Sequence, residues 1–134
     1  MNYIAIITAG VAGWMFGAVW YGLLAKPWMH AAGLTEEDVK GPSGKPSAAP
    51  YVISLLAELI MAAGLLLFFL HVFKNGIWLV GALQMAGMVW VCFIATTITV
   101  NHRYGMRPWS LTFIDGFHWL GVLLVQGAVF SAFL

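Results

Sequence analysis

FIDGFHWLGVLLVQ, residues 113–126, sets one aspartate and one histidine in a run with no other ionisable side chain. It lies inside an apolar stretch, 110–134, that is long enough to cross a bilayer, for which about 20 residues suffice. Three similar stretches precede it, at 2–25, 50–73 and 76–100. The chain has 134 residues, of which 62% are hydrophobic and 8% charged, with a mean hydropathy of +0.90. A soluble domain carries about 25% charged residues, so this chain has too few to cover a water-facing surface. The expected fold is therefore an all-α integral membrane protein: one domain, a four-transmembrane-helix bundle with short loops.

Several functional classes drop out at this level. A net charge of +1 with no Lys/Arg cluster argues against a nucleic-acid partner and against a polybasic lipid anchor. Cys92 is the only cysteine, so no intrachain disulfide can form. The opening MNYIAIITAG has no basic residue before Lys26, unlike a secretory signal, and reads as a retained helix.

Basic residues set the expected orientation. Lys26, Lys40 and Lys45 follow the first stretch, and Arg103 and Arg107 follow the third. Only Lys74 lies on the opposite side, which also holds both termini. By the positive-inside rule both linkers are expected on the cytoplasmic side and the termini outside it, in a multi-pass membrane protein.

The connections carry their own signals. Lys26-Pro27 is expected to end helix 1, because proline has no N–H to donate and restrains the residue before it. LTEEDVKGPSGKPS predicts one small cytoplasmic helix, with Thr35 as its cap and Gly41-Pro42 as its stop. Its acids read as a cap and a solvated face rather than a metal site. FKNG supplies Asn75-Gly76, a turn pair between antiparallel helices.

Depth along the helices brings the strongest polar groups together. At about 1.5 Å per residue, Asp115 and His118 lie roughly 8 and 12 Å inside the cytoplasmic start of helix 4. Glu58 has a similar depth in helix 2. Helix 3 leaves on that side through Thr96, Thr99, Asn101 and His102, and helix 1 through Trp20 and Tyr21. These residues form the expected intramembrane polar cluster. A charged carboxylate at a helix centre costs about 2.5–3.5 kcal/mol even on a lenient scale, so neither acid should face lipid unrelieved. Two readings stay open: a hydrogen-bonded cluster that pins four helices, and a proton or ion site.

Spacing assigns faces. Gln84, Met88, Cys92, Thr96 and Thr99 recur as a soft polar stripe on helix 3, while Gly10, Gly13 and Gly17 recur on helix 1. Gly13-Trp-Met-Phe-Gly17 is a G-x-x-x-G pattern and predicts close approach of another helix. The seven tryptophans and nine phenylalanines read mainly as lipid-facing surface and interface belt. No cofactor and no metal is expected: His102 and His118 differ in depth, which disfavours a haem, and the oxygen and nitrogen donors present select no metal.

GWMFGAVWYGLLAKPWMHAAGLTEEDVK, residues 13–40, resembles the bacterial membrane-protein family catalogued as domain of unknown function 1761. The pattern is carried by Gly17, Ala18, Trp20, Tyr21, Lys26, Trp28 and Leu34 through Asp38. The closing helix is similar too, at Asp115, Gly116, His118 and Gly127. After Tyr21 this chain has Gly-Leu-Leu-Ala where the family usually has Ser-Pro. The resemblance implies four helices in a bacterial inner (cell) membrane and brings no activity with it. The expected function is a non-enzymatic membrane module, as a homo-oligomer or a subunit of a larger membrane complex. The alternative is a small proton-coupled or ion/solute transporter or channel using the polar cluster.

Overall fold

A computed structural model describes residues 2–134. The described residues contain helices and no strand. Four helical segments are long and apolar enough to cross a membrane: Tyr3–Leu23, Ala49–Val72, Leu79–Tyr104 and Trp109–Phe133. The first is α1, Tyr3–Leu23, and the second α4, Ala49–Val72. The third is compound: α5 (Leu79–Val89), a wider π-helical turn (Trp90–Ala95) and α6 (Thr96–Tyr104). The last is α7, Trp109–Phe133.

Between α1 and α4 lie α2 (Ala25–Ala32) and α3 (Glu36–Lys40). Pro27 was expected to end helix 1. Instead helix 1 ends earlier, at Leu23, and Pro27 sits in the first turn of α2, where the missing N–H would have no intrahelical partner anyway. Helix α2 stops at Gly33, whose φ of 72° suits a residue without Cβ. Helix α3 opens with a full capping box between Thr35 and Asp38. The Thr35 hydroxyl and backbone N–H both donate to Asp38, at 2.7 and 2.8 Å, and hold its carboxyl below the ordinary value of 3.8.

The third span also differs in extent. It begins at Leu79 rather than residue 76, because Gly76 takes a φ of 96° and Ile77 turns inward to 5% exposure. It runs on through Asn101–Tyr104, where polar side chains can leave the hydrocarbon without ending the helix.

Helix α1 lies between α4 and α7, and α5 packs on the far side of α7. The hairpin partners α4 and α5 touch far less than either touches its other neighbour. Small residues explain this arrangement. A Cβ on Gly127 of α7 would lie 3.3 Å from the Ala82 carbonyl, so α5 and α7 meet nearly backbone to backbone. Toward the termini the core is mostly apolar: Leu65, Leu66, Phe69, Leu123 and Phe130 are buried, with Gln126 the one buried polar side chain among them, and Phe69 meets Phe130 edge to face at 6.0 Å. The half at the linkers holds the other polar groups.

Tryptophan is used differently from the expectation of a lipid-facing belt. Four of the seven indoles donate across a helix contact. Trp14 reaches the Tyr51 carbonyl and Ser54 hydroxyl of α4, and Trp20 the Ile114 carbonyl of α7. Trp28 reaches Asp115, and Trp90 the Gly116 carbonyl at 2.7 Å. An indole N–H in hydrocarbon has no water to bond, so a neighbouring helix is its available partner.

Candidate functional site: two polar layers behind a glycine ledge

The deeper layer is Glu58 of α4 with His118 and Gln126 of α7. All three are buried, at 2%, 5% and 0% exposure. They fit because α1 presents glycine to them. A Cβ on Gly13 would stand 2.5 Å from Glu58 Oε2 and 3.2 Å from Gln126 Nε2. A Cβ on Gly17 would stand 2.7 Å from His118 Nε2 and 3.7 Å from Glu58 Oε1. The carboxylate and the imidazole therefore flank one point beside Gly17. Gly10 plays the simpler role, letting Leu59 of α4 pack against the α1 backbone.

This layer is incompletely bonded. Gln126 Nε2 donates to the Glu58 backbone carbonyl at 3.3 Å. Glu58 Oε2, His118 Nδ1 and Gln126 Oε1 are buried with no hydrogen-bond partner among the protein atoms. Leaving a buried donor or acceptor unpaired costs about 1–3 kcal/mol, so these three atoms call for partners such as a proton, a water or an ion.

The outer layer is centred on Asp115. Its Oδ1 accepts from Tyr21 Oη at 2.8 Å and from Trp28 Nε1 at 3.1 Å. Its Oδ2 faces His102 Nε2 at 3.7 Å. Arg103 Nη2 donates to Thr112 Oγ1 at 2.8 Å, and that hydroxyl lies 3.0 Å from His102 Nδ1. With two lone pairs and one proton, the Thr112 hydroxyl can accept from Arg103 and still pair with His102 Nδ1 in either tautomer of the ring. Tyr21 joins the layers: its hydroxyl is on Asp115 and its ring centroid is 4.7 Å from that of His118.

The residues of the expected cluster thus divide. Glu58 and His118 flank one point beside Gly17, with no ion pair between them. Asp115, Tyr21 and His102 form the second layer, with Trp20 stapled beside it. Thr96 and Asn101 are exposed, and Thr96 donates back to the Cys92 and Phe93 carbonyls of the π turn. Thr99 lines an apolar groove between α6 and α7. The soft polar stripe Gln84, Met88, Cys92, Thr96 faces outward. Ala82 and Ala86 take the inner face instead, because close backbone contact outweighs the weak polarity of the stripe.

Gln126, Trp28 and Thr112 escaped the sequence reading as site residues. Gln126 had a usable signal: His118, Val122 and Gln126 recur at four on one face of α7. Trp28 had none, since its contact depends on α2. Among the described residues, no three His, Cys, Asp or Glu side chains converge as a metal ion would require.

Four membrane-length helices around a buried carboxylate, imidazole and amide define a small polytopic protein of membrane type with a polar interior. The chain belongs to the family described as "Protein of unknown function (DUF1761)", whose model matches residues 4–131. No curated protein and no solved structure matches it.

Proposed function

We propose that the protein is a small proton-conducting transporter or channel whose protonatable centre is Glu58 with His118. The observation that carries this reading is the carboxylate oxygen Oε2 of Glu58, buried and unpaired beside an imidazole. Ionisable groups inside membrane spans mark proton relays and ion paths in known pumps and transporters. Tyr21 and Asp115 supply polar atoms from this centre toward the linkers, while Phe69 and Phe130 seal the other side. No chemical conversion of a substrate belongs to this reading. Homo-oligomer assembly does, because only Gly81, Ala82 and Ala86 of the third span are buried within the chain and one four-helix bundle is thin for a pathway.

Reconstituted wild-type protein should speed the decay of an imposed pH gradient in liposomes, read with an entrapped pH dye. Glu58→Gln, which keeps the shape and a hydrogen-bonding amide, should bring the rate to that of empty vesicles while the protein stays folded. Wild-type vesicles no faster than empty ones would defeat the proposal. The second reading, an accessory subunit of a membrane complex, then predicts a stoichiometric co-purifying protein in native mass spectrometry. It is favoured by the same exposed third span.

The orientation belongs to this proposal as well. Five basic residues on the linker side against Lys74 on the other support cytoplasmic linkers and extracytoplasmic termini. Alkaline phosphatase, active only outside the cytoplasm, should be active when fused after Leu134. An inactive, well-expressed fusion reverses the orientation.

A further inference from the structure

The linker end of α6 and α7 carries a groove that the outer polar layer touches only through Thr112 and Arg103. It has a volume of about 190 Å³ and is walled by Trp90, Ile98, Thr99, Trp109, Phe113 and Phe117. From Trp109 to Phe117 it descends about 12 Å by helix rise, which is most of one leaflet of a hydrocarbon core about 30 Å thick. Its floor is at Gly116, where a Cβ would meet no atom within 4 Å.

The mouth of the groove is cationic. The Arg103 guanidinium lies over the Trp109 ring, 3.8 Å from its centroid, and its Nε is buried with no partner. Arg107 is exposed and donates only to the Ala32 carbonyl, at 3.2 Å. Neither arginine has a carboxylate in reach: among the described residues the one ion pair is His102 with Asp115. Arg103 Nη2 also donates to the Arg107 carbonyl at 2.8 Å, which places Arg107 in the turn just above Trp109. An apolar slot one leaflet deep, with Arg103 over its outermost ring and Arg107 in the turn above, matches an acyl chain beneath an anionic headgroup.

We propose that the α6–α7 groove, with Arg103 and Arg107 at its mouth, binds one anionic phospholipid in the leaflet of the linkers. The chain lies along Phe113 and Phe117, and the phosphate takes the free guanidinium donors. Charge complementarity selects this occupant over a helix of a second copy, whose apolar surface would leave both arginines unanswered.

The test is native mass spectrometry of the full chain in detergent, with dioleoyl phosphatidylglycerol or dioleoyl phosphatidylcholine added at equal concentration. Wild type should retain one phosphatidylglycerol per chain, with a preference of about fivefold for each arginine engaged. Arg107→Gln, which leaves the Asp115 layer intact, should lower that preference by about fivefold. Gly116→Leu should fill the groove and reduce retention of both lipids, with the arginines untouched. If Gly116→Leu does not fold, Thr99→Leu narrows the same groove from α6. Equal retention of the two lipids by wild type overturns the proposal, as does full retention in a folded groove-filling variant. A dimer that survives delipidation and takes up no lipid would assign the groove to a second copy instead.

Discussion

Replacing Gly13 and Gly17 together with leucine should leave no folded protein in detergent. At Gly13 the first added carbon already meets a Glu58 carboxylate oxygen at 2.5 Å, with Val122 at 3.1 Å and Gln126 at 3.2 Å. At Gly17 it meets His118 Nε2 at 2.7 Å. Overpacking a single core position costs about 1–3 kcal/mol. Here the displaced groups are polar and buried, so relief by expelling them would carry a carboxylate and an imidazole toward lipid. The double variant should run as aggregate on size exclusion, or unfold far below the wild type in a thermal melt. Gly22→Leu is the control, since a Cβ there meets nothing within 4 Å. A double variant that melts with the wild type would show that α1 does not lie against Glu58 and His118.

Asp115 should divide its variants by hydrogen-bonding capacity rather than by charge. Asp115→Leu removes the acceptor of Tyr21 and Trp28 and the partner of His102 at one stroke. Each donor left unpaired costs about 1–3 kcal/mol, and α2 loses its polar tie to α7. The expected result is a large fall in thermal stability, with Trp28 released to solvent and its emission shifted to the red. Asp115→Asn keeps a carbonyl oxygen that can accept from both donors, so it should retain most of the stability. Equal melts for the two variants would mean that the outer layer contributes little to the bundle.

The four spans were legible because hydropathy alone fixes them: a stretch like 50–73 has no other stable solution in lipid or in water. Glycine on α1 was legible as a close approach. What it approaches was not, because the partners Glu58 and His118 sit on helices whose rotations depend on one another. Depth counting brought Glu58, Asp115 and His118 to similar levels, yet a difference of three residues on α7 was enough to send Asp115 to one layer and His118 to another. Thr96 and Asn101 are assigned to the cluster by depth, because helix 3 leaves on the linker side through them. Depth says nothing of rotation, and the π turn at Trp90–Ala95, which nothing in WVCFIA announces, resets it. The role of Trp28 was hidden for a related reason: Lys26-Pro27 reads as a stop, whereas the chain uses it to begin α2.

The π turn also gives the third span a built-in swivel. It holds one residue more than an α-helical turn of the same height. Drawing that residue into regular α-helix would rotate everything beyond Ala95 by about 100°, the angle between successive residues. His102 and Arg103 would swing away from Asp115 and Thr112 together, while α5 kept its seat on α7. Beside the turn the Thr96 hydroxyl shares its one proton between the Cys92 and Phe93 carbonyls, and the Trp90 indole donates to Gly116. The angle of the cationic end of this helix is thus set by a single widened turn.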